Sequence, residues 1–491
     1  MTNDRSGLTR DLGLAGLAAT GICAMLGAAI NVIPFMIHRS APGIGPWVLP
    51  AYLAAALPAV LAALAYAGLG SAMPRAGGSY VYASRSLGPF WGFVASFSQW
   101  FGLSIAIGVV SYVLVTFLRD LAFALGSPDT AVLLETGPYR VGIALGFLWI
   151  FVLVNIRGLQ LYERILVPMM VLMFLLGGLV IVGGFAFDHA DFAAALPAGE
   201  ALPPEPESPF RLLPFLAATV LLFSSFIGFD AIAQAGGEAK RPRRTIPLAI
   251  GIAVATVGGF YFLFTAAVYH AVPWQFVAGE AQLRDLTAPG LLATLLPTWA
   301  TTAILGGAAV ALINDLPAML LAVSRMVFAW AGDGIFPKGL AAVHPRFHTP
   351  WAALLMSGAV ASMGILGSHF AGDFFLGIDI LVIGMLANFG LICLCLIVLP
   401  RRNPALARRV TLFGPVGRVA VGVSGVALLG LFFVLHVHKD LTTERAAWYF
   451  HSTPVWLLVV GAASVIVLVK LAALRRTPGG TDRIFGMLPP A

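Results

Sequence analysis

The stretch FSSFIGFDAIAQAGGEAKRPRR, residues 223–244, contains a contradiction. The apolar run before it makes it the second half of a membrane-crossing helix. Yet it carries Ser224 and Ser225, a mid-run glycine at Gly228 and a carboxylate at Asp230 before its basic exit. Glycine weakens a helix interior and lets other backbone approach closely. Backbone groups freed at such a point are tolerated at membrane depth only where they line a cavity or are buried in protein. The stretch therefore reads either as a helix that breaks around Gly228, with a site at the break, or as one with an ordinary packing glycine.

The composition makes lipid the surrounding medium. Of 491 residues, 59% are hydrophobic and 10% charged, with a mean hydropathy of +0.92. A soluble domain carries about 25% charged residues. The net charge of +7 does not point to nucleic acid, because the basic residues sit in short segments between apolar runs. Runs of about 20 apolar residues can cross a bilayer. Twelve are expected, near 13–38, 46–69, 89–118, 140–156, 165–187, 212–236, 246–271, 291–331, 350–369, 374–399, 415–437 and 454–474. The first follows Arg5 and Arg10 and is too long for the apolar core of a signal peptide, so it is expected to remain as a span.

With the N-terminus cytoplasmic, the inner segments hold 22 of the 29 Lys and Arg residues and the outer ones 7. That bias sets both termini, 1–12 and 475–491, inside the cell. The segments between spans are too short for a soluble domain, and no HExxH, GxSxG or Walker spacing is present. The expectation is a membrane protein that is not an enzyme and uses no cofactor. Cys23, Cys393 and Cys395 fall inside apolar runs and form no metal-ligand pattern, and His436, His438 and His451 lack companion ligands.

A second interrupted run matches the first. Residues 19–37 read ATGICAMLGAAINVIPFMI, with Gly27 mid-run, Asn31 four residues on and Pro34 beyond. The two interruptions lie five spans apart. Because five is odd, equivalent spans of the two halves run in opposite directions, the arrangement in which paired broken helices mark a midplane binding site. Half-helix N-termini suit a carboxylate and freed carbonyls suit an ammonium or metal cation.

Four further stretches carry a resemblance: MPRAGGSYVYASRSLG at 73–88, FIGFDAIAQAGGEAKRPRRTIPLAI at 226–250, SRMVFAWAGDGIFPKGLAAVHPRFHTPW at 324–351 and LPRRNPAL at 399–406. In this order they are similar to the amino acid–polyamine–organocation (APC) permeases, in the cationic-amino-acid-transporter-like branch. The resemblance implies an all-α LeuT-type fold of 12 transmembrane helices. Repeats 13–187 and 212–399 would be inverted copies with broken helices 1 and 6, and 415–474 would supply two extra helices. It also implies alternating-access transport of an amino acid or related amine across the cytoplasmic membrane, by proton- or sodium-coupled symport. Exchange, or carriage of a solute that is not an α-amino acid, is the alternative; a channel or a ligand-binding transceptor is a further rival. The chain would act in the bilayer as a monomer or loose homodimer.

Carried over by resemblance, the substrate-binding positions are Met25, Gly27, Ala28 and Ala29 at the first break, and Phe223, Ser224, Ser225, Phe226 and Gly228 at the second. The family's G-x-G-I-F stands here as Gly27-Ala28-Ala29-Ile30-Asn31. The methyl groups narrow the approach and Asn31 is polar where the family is greasy. Asp230, Phe229 and Asn31 are gating candidates, with a structural link as the other reading of Asp230. Proton-linked relatives carry a lysine in the fifth span at a position matching Met173, and no span from 1 to 5 holds a lysine here.

The eighth span contains AALINDLPAMLLAVSR, which puts Asn314 and Asp315 in mid-membrane. A carboxylate there costs about 2.5–3.5 kcal/mol on insertion scales, so it should face the bundle interior. Sodium-coupled relatives of this fold complete an ion site between helices 1 and 8, and Ala311-x-x-Asn314-Asp315 has the required spacing. The facing carbonyls would be those of Cys23 and Leu26. Three readings of Asp315 stand: a coupling group for Na⁺ or a proton, the partner of a cationic substrate, or a structural hydrogen bond. Arg243, Arg244, Arg325 and Asp333 are expected to form cytoplasmic closure contacts by resemblance. Asp379 is expected at an interface, and Trp100, Phe226 and Phe229 are candidates for stacking over substrate, with apolar packing as the other reading.

Overall fold

The computed structural model describes residues 8–27, 29–196, 202–204, 208–284, 286–371, 375–445, 447–476 and 484–489. Among these, α1 (Leu14–Met25) and α2 (Ala29–Ser40) make up the first membrane run. They are followed by α3 (Val48–Ala72), a short α4 (Gly78–Ser86), α5 (Pro89–Ala124), α6 (Pro128–Glu135), α7 (Gly137–Ile156), α8 (Leu159–Ala186) and α9 (His189–Ala195). The second half begins with α10 (Leu212–Leu222), a 3-10 turn Phe223–Phe226 and α11 (Asp230–Gln234). It continues through α12 (Pro242–Ala271), α13 (Trp274–Leu283), α14 (Ala288–Leu292), α15 (Thr298–Gly332), α16 (Trp351–Ala371) and α17 (Phe375–Arg402). Last come α18 (Pro404–Ala407), α19 (Pro415–Thr442) and α20 (Ser452–Arg475).

Among the described residues, eleven helices are long and apolar enough to cross a membrane, counting Leu14–Ser40 as one; Leu212–Phe226 is a shorter apolar helix. The expected sixth span, 212–236, is thus not one continuous helix, because it stops at the break. The expected eighth span, 291–331, is shortened at its start: Pro297 caps a helix that begins at Thr298, and α14 lies apart from it. The fifth begins earlier than expected, at Leu159 after Gly158, whose φ of 111° only glycine adopts without strain.

Burial sorts the helices into centre and rim. The apolar window of Leu14–Ser40 is wholly buried and that of Thr298–Gly332 is 83% buried, whereas those of Leu159–Ala186 and Ser452–Arg475 are 17% buried. In water that exposed apolar surface would be prohibitive; against lipid tails it is the expected rim. The centre is α1, α2, α11 and α15, with α5 packed along α15, α16 and α17. Glycine permits the closest approaches: a Cβ at Gly102 would fall 2.9 Å from the Leu381 backbone.

The basic end of the bundle is tied by backbone bonds. Leu12 pairs with Ala239 and Ala76 with Ala235 in isolated bridges. The Leu12 amide donates to Glu238 O at 3.0 Å, the Lys240 amide to Leu12 O at 2.8 Å and the Gly77 amide to Gln234 O at 3.0 Å.

Candidate functional site

Each interruption has its own local cause. In the first, the Leu26 amide still closes a helical bond to Ile22 O at 2.8 Å, but Leu26 turns to ψ 71° and the Gly27 amide reaches only Met25 O at 3.1 Å. The helix resumes at Ala29. The freed Met25 carbonyl accepts from the Tyr261 hydroxyl at 2.5 Å. In the second, α10 tightens into the 3-10 turn, Ile227 becomes extended at ψ 136° and Gly228 takes φ 132°. Asp230 then restarts the helix and its Oδ1 accepts the Gly228 amide at 3.2 Å. That is an acid at a helix start, holding an otherwise orphaned N–H.

The two breaks touch. A Cβ on Gly228 would collide with the Ala24 carbonyl and lie 2.7 Å from the Met25 nitrogen. Beside this crossing is a cavity of about 110 Å³. Its wall is apolar, including Val32, Ile33, Val110, Ile227, Met319 and Leu381, and its polar side chains among the described residues are those of Ser224 and Asp315.

Asp315 is 5% exposed, yet its Oδ1 has no hydrogen-bond partner among the described residues. The other oxygen lies against Gly27, on the spot that a side chain there would occupy. Asn314, one residue earlier and wholly buried, meets the first run one helical turn before Gly27, at Cys23. Its Nδ2 donates to Cys23 Sγ at 2.9 Å, and its Oδ1 is also without a partner among the described residues. Two adjacent acceptors without donors, in a chain crossing lipid, leave a deficit that only a proton, a cation or water can meet.

The residues singled out in the sequence divide by place. Met25, Gly27, Ser224 and Asp315 meet at the cavity. Ala28 lies outside the described residues, and of Ala29 only the backbone is described. Leu26, Asn31 and Ala311, with Met173, line a second cavity of about 20 Å³ on the other side of α2. Phe223, Ser225, Phe226 and Phe229 are buried beside the second break but are not part of the main cavity's lining. The Phe226 ring packs on Tyr52 at 5.7 Å and Phe229 on Phe389 at 5.1 Å. Trp100 packs on Trp330 at 5.6 Å and its Nε1 reaches Ser357 at 3.4 Å, also away from the lining. Asp379 is half-buried on α17.

Three assemblies were signalled in advance only through one member each, Asp230, Arg325 and Asp333. Behind the second break, Asp230 accepts from Gln99 Nε2; Asn388 Nδ2 donates to Gln99 Oε1 at 3.2 Å and to Tyr66 at 2.6 Å, and Gln234 Nε2 donates to Ser79 at 2.6 Å. At the basic end, Arg325 forks onto Glu238 at 2.7 and 3.1 Å, both side chains fully buried. Arg85 forks onto Asp333 at 2.5 and 3.1 Å. Arg85 also donates to the carbonyls of Ile484 and Met487 at 3.2 Å, and its guanidinium sits 5.3 Å from the Phe485 ring. Arg325 and Asp333 thus pair with partners that the sequence did not single out, while Arg243 and Arg244 are exposed at the start of α12 and belong to neither pair.

Facing breaks beside a cavity, inside a bundle of lipid-length helices, define a multi-pass membrane protein with a candidate solute site. A family described as "Amino acid permease" matches residues 12–462, and the chain belongs to that family, which implies a LeuT-like fold. Cationic amino acid transporter 4 of Homo sapiens is 28% identical over 367 residues, 72% of this chain and 55% of that protein, so the chain spans about half the length of that relative. The branched-chain amino acid permease BcaP of Bacillus subtilis is 27% identical over 465 residues, 93% of each chain. A methylthioribose transporter of the same organism is 26% identical over 412 residues, covering 81% and 83%.

Proposed function

We propose that the protein is a secondary active transporter that moves an amino acid or related amine across the cell membrane by alternating access. The observation that carries this reading is the contact of two helix breaks, at Gly27 and Gly228, beside a cavity lined by a buried acid whose Oδ1 has no partner among the described residues. Breaks at the first and sixth apolar runs support an inverted repeat of 13–187 and 212–399, with the last two helices outside it. The excess of Lys and Arg between alternate spans supports cytoplasmic termini.

Coupling runs through Asp315, which carries a proton or, with Asn314 Oδ1, helps to hold Na⁺. The two unpartnered oxygens support this, as an oxygen-rich, acceptor-only pair suits a hard cation. The buried pairs Arg325–Glu238 and Arg85–Asp333 close the route to the inner face, and must part or move when it opens. The cavity is complete within one chain, so a monomer suffices.

Purified protein in proteoliposomes tests the reading. An imposed pH or Na⁺ gradient is expected to drive saturable accumulation of an amino acid or amine that also raises the melting temperature. A conductance independent of solute would make the protein a channel, and thermal stabilisation without flux would make it a receptor.

A further inference from the structure

We infer that the solute occupying the main cavity is a small apolar monoamine without an α-carboxylate, its ammonium group on Asp315. The inference rests on the transporter reading above and names its cargo.

The hydrogen-bond inventory of the cavity is one-sided. Among the described residues, its polar side chains are Asp315 and Ser224 alone. Asp315 has Oδ1 without a partner and its second oxygen against Gly27. Ser224 donates its single hydroxyl hydrogen to Leu221 O at 2.7 Å, so only lone pairs remain for a guest. An ammonium brings three donors and no acceptor, and fits such a pole. A carboxylate needs donors, and no described side chain in the lining offers one.

Charge gives the same answer. The start of α2 at Ala29 is the positive end of a half-helix, the feature that would receive a guest's carboxylate. Asp315 lies against Gly27, two residues before that start, so the protein's own acid already stands at that end. A zwitterion would set a second carboxylate beside the first with one ammonium between them, leaving a negative charge unmatched in an apolar chamber. An amine leaves none. The rest of the wall, with Val32, Val110, Ile227, Met319 and Leu381, accepts an aliphatic or aromatic body and has no second acid for a diamine. Because one carboxylate serves ammonium and coupling cation in turn, amine and proton or Na⁺ compete for it, and the stoichiometry is exchange.

Matched guests decide the matter by titration calorimetry and thermal shift on the purified full chain. The pairs are 3-methylbutylamine with leucine and 2-phenylethylamine with phenylalanine, with 4-methylpentanoate as the acid lacking an amine. Expected is saturable binding of an amine, weaker as pH falls because protons compete, with its amino acid at least ten-fold weaker and the acid silent. Asp315→Asn should lose about 100-fold or more in amine affinity, as for a broken buried charge pair. Asp315→Glu should recover part of it. Leucine or phenylalanine binding as tightly as its amine, and surviving Asp315→Asn, would overturn the inference while leaving a transporter standing. A folded protein that binds neither amine would overturn it equally, with gradient-driven uptake then deciding the broader reading on its own.

Discussion

Gly228→Ala tests the meeting of the two breaks. Two penalties act on the new methyl group. Gly228 holds φ 132°, a conformation that side-chain-bearing residues enter at a penalty of order 1–3 kcal/mol. The Cβ would also meet the Ala24 carbonyl and lie 2.7 Å from the Met25 nitrogen. Both are main chain, so no rotamer change relieves the contact and the breaks must separate, at a further ~1–3 kcal/mol typical of overpacking. Together the variant should lose about 2–6 kcal/mol, the sum of those two ranges. The assay is thermal unfolding of detergent-purified protein beside Gly251→Ala, a glycine of α12 with nothing within 4 Å of its Cβ position. That control should be neutral or slightly stabilised, since alanine favours a helix interior by roughly 0.5–1 kcal/mol over glycine. Transport in proteoliposomes should fall to background for Gly228→Ala and persist for Gly251→Ala. If Gly228→Ala melts with the wild type and transports at its rate, the breaks do not touch as described and the site loses its frame.

Other perturbations separate the remaining parts. Glu238→Gln leaves the Arg325 guanidinium buried without its countercharge and should destabilise the fold by about 3–5 kcal/mol; adding Arg325→Met should restore much of it, and a neutral single variant would show that the pair is not dry. Gln99→Leu strips Asp230 of a donor and Asn388 of an acceptor, so its effect should depart from additivity with Asn388→Leu by about 0.5 kcal/mol or more. Simple addition in a double-mutant cycle would dissolve that network. Tyr261→Phe removes the hydroxyl on Met25 O, leaving that carbonyl the Gly27 amide alone, and should lower stability by about 1 kcal/mol in thermal unfolding; an unchanged melt would show that the amide satisfies it. Phe485→Ala takes the ring from Arg85 and should cost about 0.5–1 kcal/mol, read by faster proteolysis of the C-terminal segment.

What the sequence made legible follows from how far apart in the chain the cooperating residues lie. Gly27 and Gly228 announce themselves locally, because a glycine in an apolar run with a polar residue two to four positions on, Asn31 or Asp230, weakens a helix that lipid would otherwise favour unbroken, and both helices do break there. Asp315 announces itself by the penalty of placing an acid in lipid. Its separation from Asn314 was not legible: neighbouring residues on a helix point about 100° apart, so one faces Gly27 and the other Cys23. The Gln99–Asp230–Asn388 network draws single polar residues from three helices, and no local spacing predicts that they converge. The same holds for Glu238 and Arg85, whose charge was visible but whose partners are set by tertiary packing. The apolar aromatics beside the second break could not be sorted in advance, since packing and guest-stacking ask for the same residue type.

The backbone pairings of Leu12 with Ala239 and Ala76 with Ala235 limit how the molecule can move. They rivet the lead-in to α1, the turn after α3 and the segment after α11 into one plate, so these parts swing together or not at all. A single pair of labels across that plate's edge would then report the whole excursion, and a disulfide through Leu12→Cys and Ala239→Cys would leave transport intact where a bond from plate to α15 would freeze it.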